Sequence, residues 1–140
     1  MNKIFLDINI VLDMIDSNRK NNSKIPLLLK KIVLNDIDIV ISEDMLSTLF
    51  YIQKDKKLVL KFLNTIQNKW IISSYGKDVI SKAIEISLQN NLDLEDILQC
   101  LCAKKNSCIA LVTSDSRFYD CGIKIYTIDE AIEALENKIF

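Results

Sequence analysis

Short apolar runs alternate with helical repeats along this chain, and that alternation restricts the fold more than any other feature. Residues 3–6, 37–41, 109–112 and 123–126 are short, rich in large or β-branched side chains, and read as strands. Residues 70–72 (Trp70-Ile71-Ile72) are a weaker run of the same kind. Ser17 to Ser23 is polar and reads as a loop or a frayed helix end, after which Ile25, Leu28, Leu29, Ile32 and Val33 recur at helical spacing. Pro26 falls in the first turn of that helix, where it is tolerated. Ser42-Glu43-Asp44 caps a further helix with Leu46, Leu49, Phe50 and Ile52. Asp55 caps the next, with Leu58, Phe62, Leu63 and Ile66 on one face. Val79, Ile80, Ala83, Ile84, Ile86 and Leu88 form a long helical stripe. Asp93 caps a helix with Leu94, Ile97, Leu98 and Leu101 on one side. Thr127-Ile128-Asp129-Glu130 is a capping box opening the last helix, with Ile132 and Leu135 inward. Strands so separated by helices predict an α/β fold: a central parallel sheet of four to five strands covered by helices on both faces.

The length of 140 residues fits one domain, 1–140, with a sizeable core. Two glycines and one proline leave no room for a flexible linker or a Gly-rich phosphate loop. The apolar runs fall short of the ~18 residues that span a bilayer, so no membrane contact is expected. The absence of a signal-peptide h-region predicts a cytoplasmic protein. The four cysteines form no C-x-x-C pair and read as small buried hydrophobes kept reduced. Histidine is absent, which excludes Ser-His, Cys-His and His-based acid/base mechanisms. Hydrolytic chemistry would have to rest on carboxylates, lysine or a metal.

The net charge of −1 is not the global basic footprint of a dedicated nucleic-acid binder. Local basic rims around an acidic centre are possible at Arg19-Lys20-Lys24, Lys54-Lys56-Lys57 and Lys104-Lys105, though each reads more readily as a solvated helix face or end.

The acids carry the chemistry. Asp7 follows the first strand and is succeeded by Asn9 at the start of a helix; Asp115 lies just beyond the strand at 109–112. In a parallel sheet both emerge at the carboxyl edge, where open α/β sheets bind ligands. Asp93, Glu95 and Asp96 occupy a helix start that can face the same edge. Singly, each acid reads as a cap, a turn or a complement to a helix dipole. Together they repel one another unless a cation shares the site, and Mg²⁺ and Mn²⁺ prefer such hard oxygen ligands.

Residues 5–13 (Phe5-Leu6-Asp7-Ile8-Asn9-Ile10-Val11-Leu12-Asp13) resemble the opening motif of PIN domains, the fold of VapC-type toxin ribonucleases. Residues 93–99 (Asp93-Leu94-Glu95-Asp96-Ile97-Leu98-Gln99) resemble that family's later acidic helix start. Residues 110–115 (Ala110-Leu111-Val112-Thr113-Ser114-Asp115) resemble its last strand and acidic turn. The resemblance implies a three-layer α/β/α fold and a Mg²⁺- or Mn²⁺-dependent endoribonuclease. It also implies an RNA substrate, an antitoxin partner and a homodimer. Carried over by position, Asp7, Asp96 and Asp115 would be the metal-binding and catalytic acids, with Asn9, Thr113 and Asp93 in support.

One position departs from the pattern. The resemblance leads to a further acid in the helix after the second strand, and that position here is the neutral Thr48. Glu43 or Asp44 would substitute, or the centre would work with fewer carboxylates. A catalytically weak or inactive PIN-like module that binds RNA or a protein partner is therefore the alternative. Asp7-Ile8-Asn9 is also similar to the nucleophile loop of haloacid dehalogenase-like phosphatases, but an amide at position 9 cannot act as the general acid expected there.

Overall fold

The computed structural model describes residues 2–138. Five strands, β1 (Lys3–Leu6), β2 (Asp38–Ser42), β3 (Ile71–Ser73), β4 (Ala110–Val112) and β5 (Lys124–Tyr126), form one parallel sheet in the order β3-β2-β1-β4-β5. The chain winds outward from β1 through β2 to β3, then returns to place β4 on the other side of β1. The direction of winding reverses between β1 and β4, so the crevice for a ligand opens beyond the carboxyl ends of those two strands.

The α-helices are α1 (Ile8–Ile15), α2 (Ile25–Leu34), α3 (Met45–Ile52), α4 (Lys56–Ile66), α5 (Gly76–Asn90), α6 (Leu94–Lys105) and α7 (Ile128–Glu136), with a 3₁₀ turn at Lys20–Lys24. Right-handed crossovers put α1–α4 on one face and α5–α6 on the other. The observed packing of α1 on α3 and α4, of α2 on α7, and of α5 on α6 follows that division. The central strands are buried on both faces: Phe5, Leu6, Val40, Ile41, Leu111 and Val112 have no exposed surface. Each large apolar side chain so buried contributes about 1.5–3 kcal/mol. Asp55 accepts from the Leu58 amide and Thr127 closes both bonds of its capping box, as the sequence predicts.

Several expectations shift. The weak run at 70–72 forms a true edge strand, β3. The second strand runs through Ser42, so Ser42 is a buried strand residue rather than a cap. Asp44 takes the N-cap position of α3 without a side-chain capping bond. The inward face of α3 is Met45 and Leu49, while Phe50 and Ile52 are exposed. The α5 stripe also divides. Ala83 is buried against Ile97 and Leu101 of α6, with Val79 and Ile86 beside it. Ile80, Ile84 and Leu88 face outward, Leu88 with 80% of its surface exposed. The main packing of the α5 helix is on α6, and Ile80, Ile84 and Leu88 on its other apolar stripe stay exposed.

The cysteines are not all reduced. Cys100 on α6 is disulfide-bonded to Cys121 in the β4–β5 loop, with Cα atoms 6.0 Å apart, while Cys102 and Cys108 are free and buried. The two partners are 21 residues apart, and only the fold of the β4–β5 loop back onto α6 brings them together. Lys104 Nζ reinforces that contact by donating to the Cys121 carbonyl at 3.0 Å.

Candidate active site

Asp7 stands at the crevice. Its backbone amide continues the β1–β4 ladder by donating to the Val112 carbonyl at 3.0 Å. Its side chain caps α1, Oδ1 accepting from the Ile8 amide at 2.7 Å. Oδ2 accepts from the Thr113 hydroxyl, also at 2.7 Å. Thr113 Oγ1 in turn accepts from the Asp115 amide at 3.1 Å. One hydroxyl therefore fixes the buried carboxylate and the turn bearing the second acid. Asp115 Oδ1 accepts from the Arg117 amide at 2.8 Å, which holds that exposed turn in shape.

The α6 helix brings its N-terminal turn to the same edge. Asp93 is the N-cap, accepting from the Asp96 amide at 3.1 Å, and stays at the rim. Asp96 is half-buried, and its carboxyl is pushed up to about 6, first by burial and then by the charges of Asp93, Asp7, Asp115 and Glu95. Burial also raises Asp7, with Asp115 adding to the rise; hydrogen bonds from Thr113, the Ile8 amide and Gln99 oppose it. Asp7, Asp96 and Asp115 are thus close enough to perturb one another, as acids crowded without a counter-charge do. They are not drawn into a finished cage. Among the described residues no three Asp, Glu, Cys or His side chains are close enough as they stand to enclose an ion.

The remaining candidates divide. Asn9 is half-buried in the first turn of α1, and its side chain makes no hydrogen bond among the described residues. Glu43 is exposed and contributes its backbone amide to the Ser73 carbonyl at 2.8 Å. The Thr48 hydroxyl turns back to the Asp44 carbonyl at 3.2 Å and away from the acids. Asp44 is exposed, but its charge reaches Glu95 and Tyr75.

Two groups, Gln99 and Tyr75, escaped the sequence reading, and Glu95 was read only as one of the acids at a helix start. Gln99 is buried to 1% exposure and donates from Nε2 to Glu95 Oε1 at 3.2 Å. Glu95 is tied to that amide and is raised by partial burial, then by Asp44, Asp7 and Asp93. The Tyr75 hydroxyl donates to Ser42 Oγ at 3.3 Å and is raised by burial. A polar residue at position 99, one helical turn after two acids in an otherwise apolar stretch, was the signal for Gln99. Nothing local pointed to Tyr75.

The basic rims are largely occupied by structure. Arg19 pairs with Asp13 at 2.7 Å and Lys24 with Asp129 at 2.8 Å. Lys56 donates to the Phe50, Tyr51 and Gln53 carbonyls at the end of α3. Lys105 donates to the Ser74 and Tyr75 carbonyls at 3.2 Å each. Beside Asp115 a cleft of about 520 Å³ opens between Thr113, Asp120, Lys124 and Glu130.

Residues 4–124 match the sequence profile of the PIN domain. The chain belongs to the PIN domain family. Among curated relatives, "Ribonuclease VapC1" of Aquifex aeolicus is 33% identical over 135 residues, covering 94% of each chain. Solved structures of toxins and toxin–antitoxin complexes share the fold. The Mycobacterium tuberculosis VapC20 toxin, described as cleaving the sarcin-ricin loop, aligns with a TM-score of 0.68 at 12% identity, covering 86% of this chain and 95% of its own. VapBC2 from Rickettsia felis, bound to a promoter DNA fragment, aligns at 0.63 with 18% identity, covering 88% and 96%. A toxin–antitoxin complex from Klebsiella pneumoniae aligns at 0.65 with 15% identity, covering 89% and 97%.

Proposed function

We propose that this PIN domain is a Mg²⁺- or Mn²⁺-dependent endoribonuclease and the toxin of a toxin–antitoxin pair, acting on RNA in the cytoplasm. The observation that supports the reading is 33% identity to a curated ribonuclease, together with an Asp7 carboxylate fixed by Thr113 at the switch point of the sheet. An antitoxin partner and a homodimer belong to the same reading. No helix among the described residues is long and apolar enough to cross a membrane.

The donor set fits a hard divalent ion: carboxylate oxygens dominate, there is no histidine, and the buried Gln99 Oε1 has no hydrogen-bond partner. Asp7, Asp96 and Asp115 would hold the ion. When bound, it supplies an activated water and charge stabilisation for the leaving oxygen of a phosphodiester. The chain's own part is positioning. Thr113 and the Ile8 amide fix both oxygens of Asp7, so its orientation is set before any ligand arrives. Asp93 anchors the first turn of α6, which presents Asp96. Asp96, raised to about 6, is largely ionised at neutral pH, and a cation beside it would favour that charged form further. Asp115, exposed beside the open cleft, faces the side from which a polynucleotide arrives.

The test is incubation of the purified chain with a mixed RNA pool in Mn²⁺ and in chelator. Cleavage only with metal supports the reading. A second reading, a weak or inactive PIN-like module, is favoured by Thr48, which is neutral and directed to a backbone carbonyl. It predicts RNA or partner binding with no cleavage under either ion.

A further inference from the structure

The two joined cysteines differ from the two free ones in their surroundings. Cys102 and Cys108 are buried, and burial pushes both thiols up, Cys108 to about 12. Such thiols are inert. Cys100 is fully buried on α6, but its partner Cys121 is half-buried in the β4–β5 loop. Lys104 Nζ is held at the Cys121 carbonyl at 3.0 Å, so a positive charge stands beside that half-buried residue. A nearby cation and access to solvent together favour a reactive sulfur. The link therefore has one end sealed in the core and one end open to exchange.

The link also fastens a segment with few other ties. Between Ser114 and Gly122 the loop's own hydrogen bonds are short-range: Asp115 to Thr113, Arg117 and Phe118 to Asp115, and Gly122 to Asp120. Among the described residues, the Lys104–Cys121 bond is the one that joins this stretch to another element. Packing adds to it, since Phe118 is buried and Tyr119 and Cys121 lie against the cluster of Ala83, Ile97 and Leu101. The same loop supplies Asp115, Phe118, Asp120 and Ile123 to the cleft of about 520 Å³. The disulfide thus ties the wall of that cleft to α6, the helix that carries Asp96.

We infer that Cys121 is a site of thiol–disulfide exchange with a low-molecular-weight thiol, and that the Cys100–Cys121 link is a reversible switch that fixes the cleft wall when joined and frees it when reduced. Disulfides in a cytosol are usually transient or redox-sensing, which fits the setting proposed above. The consequence for RNA cleavage rests on the ribonuclease reading. In reduction, the thiolate of the small molecule attacks Cys121 Sγ. The S–S bond breaks, and Cys100 leaves with the electron pair and takes up a proton. A second small thiolate attacks the small molecule's own sulfur in the mixed disulfide, releasing Cys121 and a small-molecule disulfide. Two electrons pass from two small thiols to the pair, and oxidation by the small disulfide is the reverse.

The test places the folded full chain in buffers rich in reduced or in oxidised glutathione. Thiols are quenched in acid, alkylated after unfolding and located by peptide mass, while hydrogen exchange is read at the Arg117, Phe118 and Gly122 amides. Cys100 and Cys121 should be free in the first buffer and joined in the second, with Cys102 and Cys108 free in both. The three amides should exchange at least about tenfold faster in the reduced chain. Cys121→Ser, checked as folded by melting, should match the reduced parent, and with Mn²⁺ it should cut a mixed RNA pool about tenfold more slowly than the joined parent. A pair that stays joined in excess reduced glutathione is a fixed crosslink and overturns the switch, as does a pair that never joins. Equal exchange in the two states overturns it too. Equal cutting by Cys121→Ser and the joined parent overturns the control of cleavage. If the joined parent cuts no RNA, the ribonuclease reading fails, while trapping and exchange still decide the switch.

Discussion

The Thr113 hydroxyl donates to Asp7 Oδ2 at 2.7 Å, joining the ends of β4 and β1 across the line where the sheet reverses its winding. Asp7 is 4% exposed, so this bond and the one from the Ile8 amide take over the role of solvent for a buried acid. Thr113→Val removes the donor while keeping the shape. It should cost about 1–3 kcal/mol in denaturant unfolding, the usual penalty for leaving a buried polar group short of a partner. Thr113→Ser should recover most of it. Equal stability of the Val variant and the parent would mean that the hydroxyl does not hold Asp7.

The raised carboxyl of Asp96, at about 6, sets a direction for pH. A group whose folded value lies above its unfolded one binds more protons when folded. Its contribution therefore favours the fold at low pH and turns against it as pH rises from the ordinary Asp range through about 6. In chelator, the parent should lose more stability between pH 5 and pH 7 than Asp96→Asn does. Parallel melting profiles for the two proteins would remove Asp96 from the crowded cluster.

Much of this arrangement was legible in the sequence because it is local. A strand followed at once by an acid and a helical repeat marks a sheet's carboxyl edge, and Asp7 and Asp115 both stand there. Asp93 and Thr127 cap their helices by contacts three residues away, which sequence shows directly. The misses came from contacts between distant segments. Tyr75 meets Ser42 across 33 residues, and Cys100 meets Cys121 across 21. The α5 helix was misread for another reason. Periodicity shows that a helix has apolar stripes, but which stripe is covered depends on α6, and Ala83 rather than Ile80 or Ile84 meets it. Thr48 marked a missing acid, and its hydroxyl turns back to the Asp44 carbonyl.

Asp13 is buried in α1 and relies on Arg19, whose Nε donates to its Oδ1 at 2.7 Å, while Oδ2 has no partner. Arg19→Met should destabilise the chain by about 2 kcal/mol, below the roughly 3–5 kcal/mol of a fully buried pair because Arg19 is partly exposed. Mn²⁺ affinity should not change, since the pair lies at the far end of α1 from Asp7. A loss of affinity matching that of Asp7→Asn would place the pair within the centre.

The Cys100–Cys121 link fastens the β4–β5 loop, which begins beside Asp115, to the helix of Asp96. Closing a loop of this size is worth about 3 kcal/mol through the unfolded chain. Unfolding in denaturant with and without dithiothreitol should differ by about that amount, and Cys121→Ser should behave as the reduced parent does. Identical curves with and without reductant would show that the two thiols are not joined.

The central claim is that Asp7 is held against other acids to bind a cation for RNA cleavage. It is tested most directly by purifying Asp7→Asn, comparing its melting with the parent in chelator, and assaying both on a mixed RNA pool with Mn²⁺. An acid confined among acids is unfavourable without its cation, so the variant should melt at or above the parent's temperature in chelator while cleavage is lost. A variant that melts many degrees lower, or that cuts RNA at the parent's rate, would contradict the account.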